Sequence, residues 1–178
     1  MPGYLVLTVI GDDRPGLVES LAETIAEHDG SWLESRMSHL AGKFAGVLRV
    51  SVPQGQALEL REALTGLEAN GLHIFAQDGE SVRDRLREVR LSLVSSDRPG
   101  IVREVSTVLS RHRVNVEELT TECVAAPMSG ESLFKADARL ELPDALAAQD
   151  LLRDIEAVAH DMMVEVEELG GDGENQAS

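Results

Sequence analysis

The chain is poor in aromatic residues, with one Trp, one Tyr and three Phe making up 3% of 178 residues. Its core must therefore be built from Leu, Val, Ile and Ala, which suits thin layers of sheet and helix. Aromatic platforms for stacking nucleic-acid bases are disfavoured. Cysteine is nearly absent: Cys123 stands alone, so no intrachain disulfide can form, and no CxxC pair is present to ligate zinc. A reduced, cytoplasmic setting fits that composition. Basic charge is scarce, with 16 Lys and Arg against 32 Asp and Glu, a formal net charge of −16. The excess is general: residues 1–80 hold 12 acidic and 5 basic residues, and the remainder holds 20 and 11. Such a field repels phosphate backbones, so direct binding to nucleic acid is disfavoured. No apolar run approaches the length of a membrane span and no basic-then-apolar leader opens the sequence, so no membrane association is expected.

Chemical signatures are missing as well. There is no GxSxG elbow, Walker A loop or GxGxxG fingerprint, and Gly170-Gly171-Asp172-Gly173 precedes no helix. His28, His39, His73, His112 and His160 show no metal-ligand spacing and read as surface or capping residues. Cys123 reads as a small buried strand residue without a partner base, and Trp32 as packing. No catalytic residue, cofactor or metal site is expected. Arg83, Arg85, Arg87 and Arg90 alternate with Asp84 and Glu88 and read as a solvated linker.

What the sequence does contain is a repeat. Asp13-Arg14-Pro15-Gly16 recurs as Asp97-Arg98-Pro99-Gly100, an offset of 84. Before each turn lies an apolar, β-branched run, Tyr4 to Ile10 and Val89 to Val94. After it, Leu17, Val18, Leu21, Ala22 and Ile25 become Ile101, Val102, Val105, Ser106 and Leu109, a stripe along one helix face in both copies. The Pro is expected in the first helical turn, with the preceding Asp accepting hydrogen bonds from the free amides. Two strand-like runs follow each helix, Trp32 to Leu40 with Phe44 to Val52, and Val114 to Val124 with Leu133 to Leu142. Ala41-Gly42-Lys43 predicts a tight hairpin, and Ala125 to Gly130 a longer one. That six-residue insertion shifts the offset to 90, as Pro53 and Pro143 confirm. A helix at 57–69 and 145–159 and a last strand at 72–77 and 162–167 close each copy.

The order βαββαβ, twice over, predicts an α+β fold of two ferredoxin-like modules. Each is a four-stranded antiparallel sheet with both helices on one face. The boundaries are a first module at 1–78, a linker at 79–88, a second module at 89–169 and a disordered tail at 170–178.

A βαββαβ unit whose first strand runs into Asp-Arg-Pro-Gly and an apolar helix resembles the ACT domain, a small regulatory module of amino-acid metabolism. The resemblance covers nearly the whole chain and implies that a small amino acid binds where the first strand–helix loop meets the start of the second strand of a paired module. The physical logic is readable in these residues. A helix start favours a carboxylate, Gly16 or Gly100 permits close approach, and Asp12, Asp13 or Asp97 can pair with an ammonium group. With Arg14, Ser31, Ser96, Arg98 and Asn115, these form the candidate ligand-binding set. Asn115 furnishes the second module better than Ser31 does the first, so the second is expected to sense. The same Asp-Arg-Pro-Gly also serves simply to turn the chain and cap a helix, and Glu34, Glu117 and Glu118 read as edge charges that block aggregation.

Free-standing tandem members of this family imply a non-enzymatic regulator that responds to an amino acid, with glycine suggested. Such a protein represses transcription of glycine-cleavage functions through a partner activator and not by binding DNA itself. The alternative is a regulatory subunit docked on a metabolic enzyme. The paired modules can belong to one chain or to a homodimer.

Overall fold

The computed structural model describes residues 2–79, 87–126 and 130–169. They form two compact units. The first comprises β1 (Pro2–Asp12), α1 (Leu17–Glu27), β2 (Ser31–Leu40), β3 (Lys43–Pro53), α2 (Ala57–Gly66) and β4 (Leu72–Asp78). The second repeats the order with β5 (Arg87–Ser96), α3 (Ile101–Arg111), β6 (Asn115–Ala125), β7 (Ser132–Leu142), α4 (Ala148–Val158) and β8 (Met162–Glu168). Each unit has one antiparallel sheet, ordered β2-β3-β1-β4 in the first and β6-β7-β5-β8 in the second. The predicted ferredoxin-like topology is thus present twice.

Strict alternation in the inner strands builds both cores. Leu5, Leu7 and Val9 on β1 and Leu48, Val50 and Val52 on β3 are buried together with Leu17, Leu21 and Ile25 of α1 and Leu60 and Leu64 of α2. In the second unit Val89, Leu91 and Leu93 meet Ile101, Val105, Leu109, Leu151 and Ile155. Each fully buried Leu or Ile contributes roughly 1.5–3 kcal/mol relative to exposure. The helical stripe is narrower than its sequence suggests, because Val18 and Val102 stay 47% and 49% exposed. The positions seven residues into each helix, Thr24 and Val108, are buried instead. The edge strands β2 and β6 are exposed along most of their length, so the helix flank beside them has little to pack against. Cys123, on β6, is accordingly exposed and not buried as its residue type suggested.

Several boundaries differ from expectation for local reasons. Neither α1 nor α3 is capped by its Asp: Gly16 and Gly100 are the N-cap residues, at φ 91° and 95°, with no side-chain cap hydrogen bond. Pro15 and Pro99 therefore precede the helix instead of entering it. The second helix of the first unit stops at Gly66, and a 3-10 turn (Leu67–Asn70) ending at left-handed Gly71 completes the predicted span. In the second unit a turn with Leu146 N–H donating to Pro143 O holds residues before α4, which starts at Ala148. Strand β5 begins at Arg87, inside the predicted linker, because Arg87 and Glu88 pair with Leu142 and Glu141. The remainder of that linker and the predicted disordered tail lie outside the described residues.

The tight hairpin is a two-residue turn with Ala41 at φ 49° and Gly42 at φ 78°, the backbone signs of the type I′ loop whose twist suits antiparallel strands. Strands β2 and β6 also carry a bulge, between Trp32 and Glu34 and between Val116 and Glu118. The bulge sets Glu34 opposite Arg49 and Glu118 opposite Arg139, at 4.0 and 3.9 Å.

Candidate functional site

In the first unit β1 delivers Asp12 and Asp13 to the end of the sheet beside the β2–β3 turn. The register places Asp12 opposite Lys43, whose ammonium donates to the Asp12 carboxylate. That hydrogen bond holds the Asp12 carboxyl below its usual range, helped by the charges of Lys43 and Arg14. The amide of Asp13 donates to Gly42 O at 3.0 Å, and its carboxylate lies 3.6 Å from His39 Nε2. Arg14 is exposed and makes no hydrogen bond or ion pair among the described residues. Gly16 then turns the chain into α1, where no side chain caps the first-turn amides. The loop thus gathers carboxylates able to meet an ammonium, one unengaged guanidinium, and a helix start that favours negative charge.

The second unit uses the same backbone with different chemistry. Its loop is tied down in the same way, Asp97 N–H donating to Ser132 O at 2.8 Å, and Ser132 Oγ also reaches the Asp97 carboxylate at 3.3 Å. Ser96 ends β5 in an exposed position, its carbonyl accepting from Ser95 Oγ at 3.0 Å. Arg98 is held by carboxylates on two sides. Its Nη1 and Nη2 donate to Glu104 Oε1 and Oε2 at 2.9 and 2.7 Å, while its Nε and Nη2 donate to Asp161 Oδ2 and Oδ1 at 2.9 and 3.2 Å. These hydrogen bonds hold Glu104 and Asp161 below their ordinary carboxylate values and raise Arg98. Partial desolvation and the nearby Asp97 push the Cys123 thiol up, the opposite of what a nucleophilic cysteine needs.

Ser31 and Asn115 are not brought to these loops within their own units. Ser31 pairs with Ser51, which faces Tyr4 near the start of β1, eight residues from Asp12, or about 26 Å along a strand. Asn115 is placed equivalently, pairing with Glu141, which faces Glu88. Its side-chain amide donates to Glu117. Lys43, His39, Glu104, Ser132 and Asp161 were absent from the sequence-based set. Lys43 and Ser132 follow once hairpin register is known, and Asp161 once β8 is placed beside β5.

An apolar groove of about 60 Å³ lies between α3 and β6, lined by Val102, Leu109, Val116, Leu119 and Phe134 among others. It has no charged group to orient a zwitterion. No helix among the described residues is long and apolar enough to cross a membrane. No cluster of metal-ligating side chains occurs among them either.

Two βαββαβ units, each opening on a glycine-turned loop, define a tandem architecture. Residues 3–77, most of the first unit, match the ACT domain family, and the second unit repeats the strand order of the first. The chain resembles the glycine cleavage system transcriptional repressor of Escherichia coli (strain K12), with 25% identity over 122 residues. That match takes in 66% of this chain and spans 64% of the repressor's length. An unknown protein from Galdieria sulphuraria superimposes with a TM-score of 0.81 at 28% identity, covering 96% of this chain and 100% of that one. A candidate glycine cleavage system transcriptional repressor superimposes at 0.71 over 96% of this chain and 99% of its own, and at 14% identity it shows the fold alone.

Proposed function

We propose that this protein is a non-enzymatic regulator that responds to a small amino acid, with glycine the leading candidate, and represses glycine-cleavage functions through a partner activator in the cytoplasm. The observation that carries the reading is the loop of the first module, where unengaged Arg14 and the start of α1 sit beside Asp12 and Asp13. A guanidinium and a helix start suit a carboxylate, and two aspartates suit an ammonium group, so the loop has both halves of a receptor for a zwitterion. Similarity to the E. coli repressor supports the regulatory role. Ser31 and Asn115 join such a site only when supplied by another module. The charge of −16 argues that contact with DNA is made by the partner.

Thermal unfolding of the full chain with each proteinogenic amino acid in turn tests the sensor. A ligand at 100 times its Kd stabilises by about 2.7 kcal/mol, a clear displacement of the transition, and a panel in which no amino acid moves it rejects the reading. Capture from a lysate separates the two regulatory modes. Recovery of a DNA-binding activator supports the proposal, and recovery of a metabolic enzyme supports the docked-subunit alternative.

A further inference from the structure

The two loops share a backbone but not a state of charge. Both open with the same four residues, both glycines adopt the left-handed conformation, and both loops are anchored by an amide donating to the neighbouring hairpin. Their arginines differ. Arg98 makes four hydrogen bonds to Glu104 and Asp161, groups on the first turn of α3 and in the turn before β8. At the equivalent places in the first module stand Ser20, at the offset of 84, and Gly71, at the offset of 90. Neither carries a charge, and Arg14 stays unengaged.

We infer that Arg98 is a clasp that closes the second loop to carboxylate ligands, so that the first module is the ligand-responsive copy and the second a fixed one. The inference rests on the proposed sensor function and sharpens it. A guanidinium has five donor hydrogens in a rigid plane, and in Arg98 its two adjoining edges are already taken by carboxylates in paired geometry. An incoming carboxylate would have to displace Glu104 or Asp161, both covalently held in place. It would also meet the two carboxylates of Glu104 and Asp161, which already share the one guanidinium of Arg98. The first loop sets Asp12 and Asp13 against Arg14 and Lys43, a balanced set in which Arg14 makes no hydrogen bond or ion pair among the described residues. The clasp also ties the β5–α3 loop and the adjoining α3 start to the turn before β8, 63 residues away, and restrains the α3 start whether or not ligand is present. This reverses the order expected from Asn115, which lies at the far end of its own sheet.

Two readouts on the full chain test this. In amide hydrogen exchange, Arg98→Met should speed exchange in the first turn of α3 and in the turn before β8 by roughly two- to fivefold. Arg14→Met should leave the matching segments at 17–20 and 71–73 unchanged. Equal effects of the two substitutions would overturn the clasp. In the amino-acid thermal-shift panel, Arg14→Met should abolish the ligand-induced shift while Arg98→Met retains it, and the opposite pattern would overturn the assignment of the responsive copy. If no amino acid shifts the wild-type protein, the sensor reading falls and the exchange contrast still decides whether Arg98 is a clasp.

Discussion

Arg98 and Asp161 are 63 residues apart in the chain, yet Nε of one lies 2.9 Å from Oδ2 of the other. The same guanidinium grips Glu104 on the opposite side, so one side chain links the β5–α3 loop, the α3 start and the α4–β8 turn. Nothing comparable holds the described residues of the first module, where Gly71 stands in the place of Asp161.

This linkage makes the second module acid-sensitive. Glu104 and Asp161 titrate below their ordinary values of 4.5 and 3.8. Depressed carboxylates contribute stability that is fully present above the ordinary values and is lost as pH falls through the depressed folded ones. Arg98→Met is therefore expected to flatten the acid limb of the stability profile below about pH 4.5 while changing its shape little at pH 7 to 8. Urea midpoints measured from pH 2 to 8 check this, and an unaltered acid limb would show that the pairs contribute nothing.

Gly16 and Gly100 sit at φ 91° and 95°. A Cβ would meet no atom within 4 Å at Gly16 and only Glu104 Oε1, at 3.9 Å, at Gly100. The cost of Gly→Ala is thus conformational, about 1–2 kcal/mol. Asn, which tolerates the left-handed region better, should recover part of it. Chemical denaturation of Gly16→Ala, Gly16→Asn and the Gly100 pair tests the order.

Leu7 is completely buried at the centre of the first core, whereas Leu58 on α2 is 68% exposed. Leu7→Ala should cost about 2–5 kcal/mol through lost burial and a residual cavity, and Leu58→Ala less than about 0.5 kcal/mol. Their unfolding midpoints give the comparison directly. Similar losses would mean that the α2 surface is covered in solution.

The net charge of −16 predicts that the purified protein alone does not retard duplex DNA at physiological ionic strength, and that lowering the salt produces no steep rise in affinity. Fluorescence anisotropy with a labelled duplex across a salt series measures both. A log–log slope equivalent to several neutralised phosphates would contradict partner-mediated regulation.

Much of the fold is legible because a core face imposes a period. Leu5, Leu7 and Val9 alternate, Leu17, Leu21 and Ile25 recur at helical spacing, and the second copy repeats both patterns 84 residues on. Ala41-Gly42 signals its own turn. Less of the candidate site is legible. The loop residues are recognisable as a motif, but whether an arginine is free or engaged depends on side chains delivered by other elements, and Glu104 and Asp161 carry no mark of that role. The exposure of Val18, Val102 and Cys123 was hidden for the same reason, since residue type does not reveal which strand of a sheet is the uncovered edge.

Local chemistry by itself determined the doubled scaffold. Periodic apolar residues, two glycines able to turn left-handed and a repeated proline specify strand, turn and helix through short-range sterics and burial. Only the tertiary structure decided how the two copies differ. Bringing β8 alongside β5 places Asp161 on Arg98, while at the matching Gly71 no carboxylate is supplied and Arg14 makes no hydrogen bond or ion pair among the described residues. Pairing of β2 with β3 and of β6 with β7 carries Ser31 and Asn115 to the far end of their sheets, because a β-strand separates its ends by more than about 3 Å per residue whatever its sequence suggests about shared function.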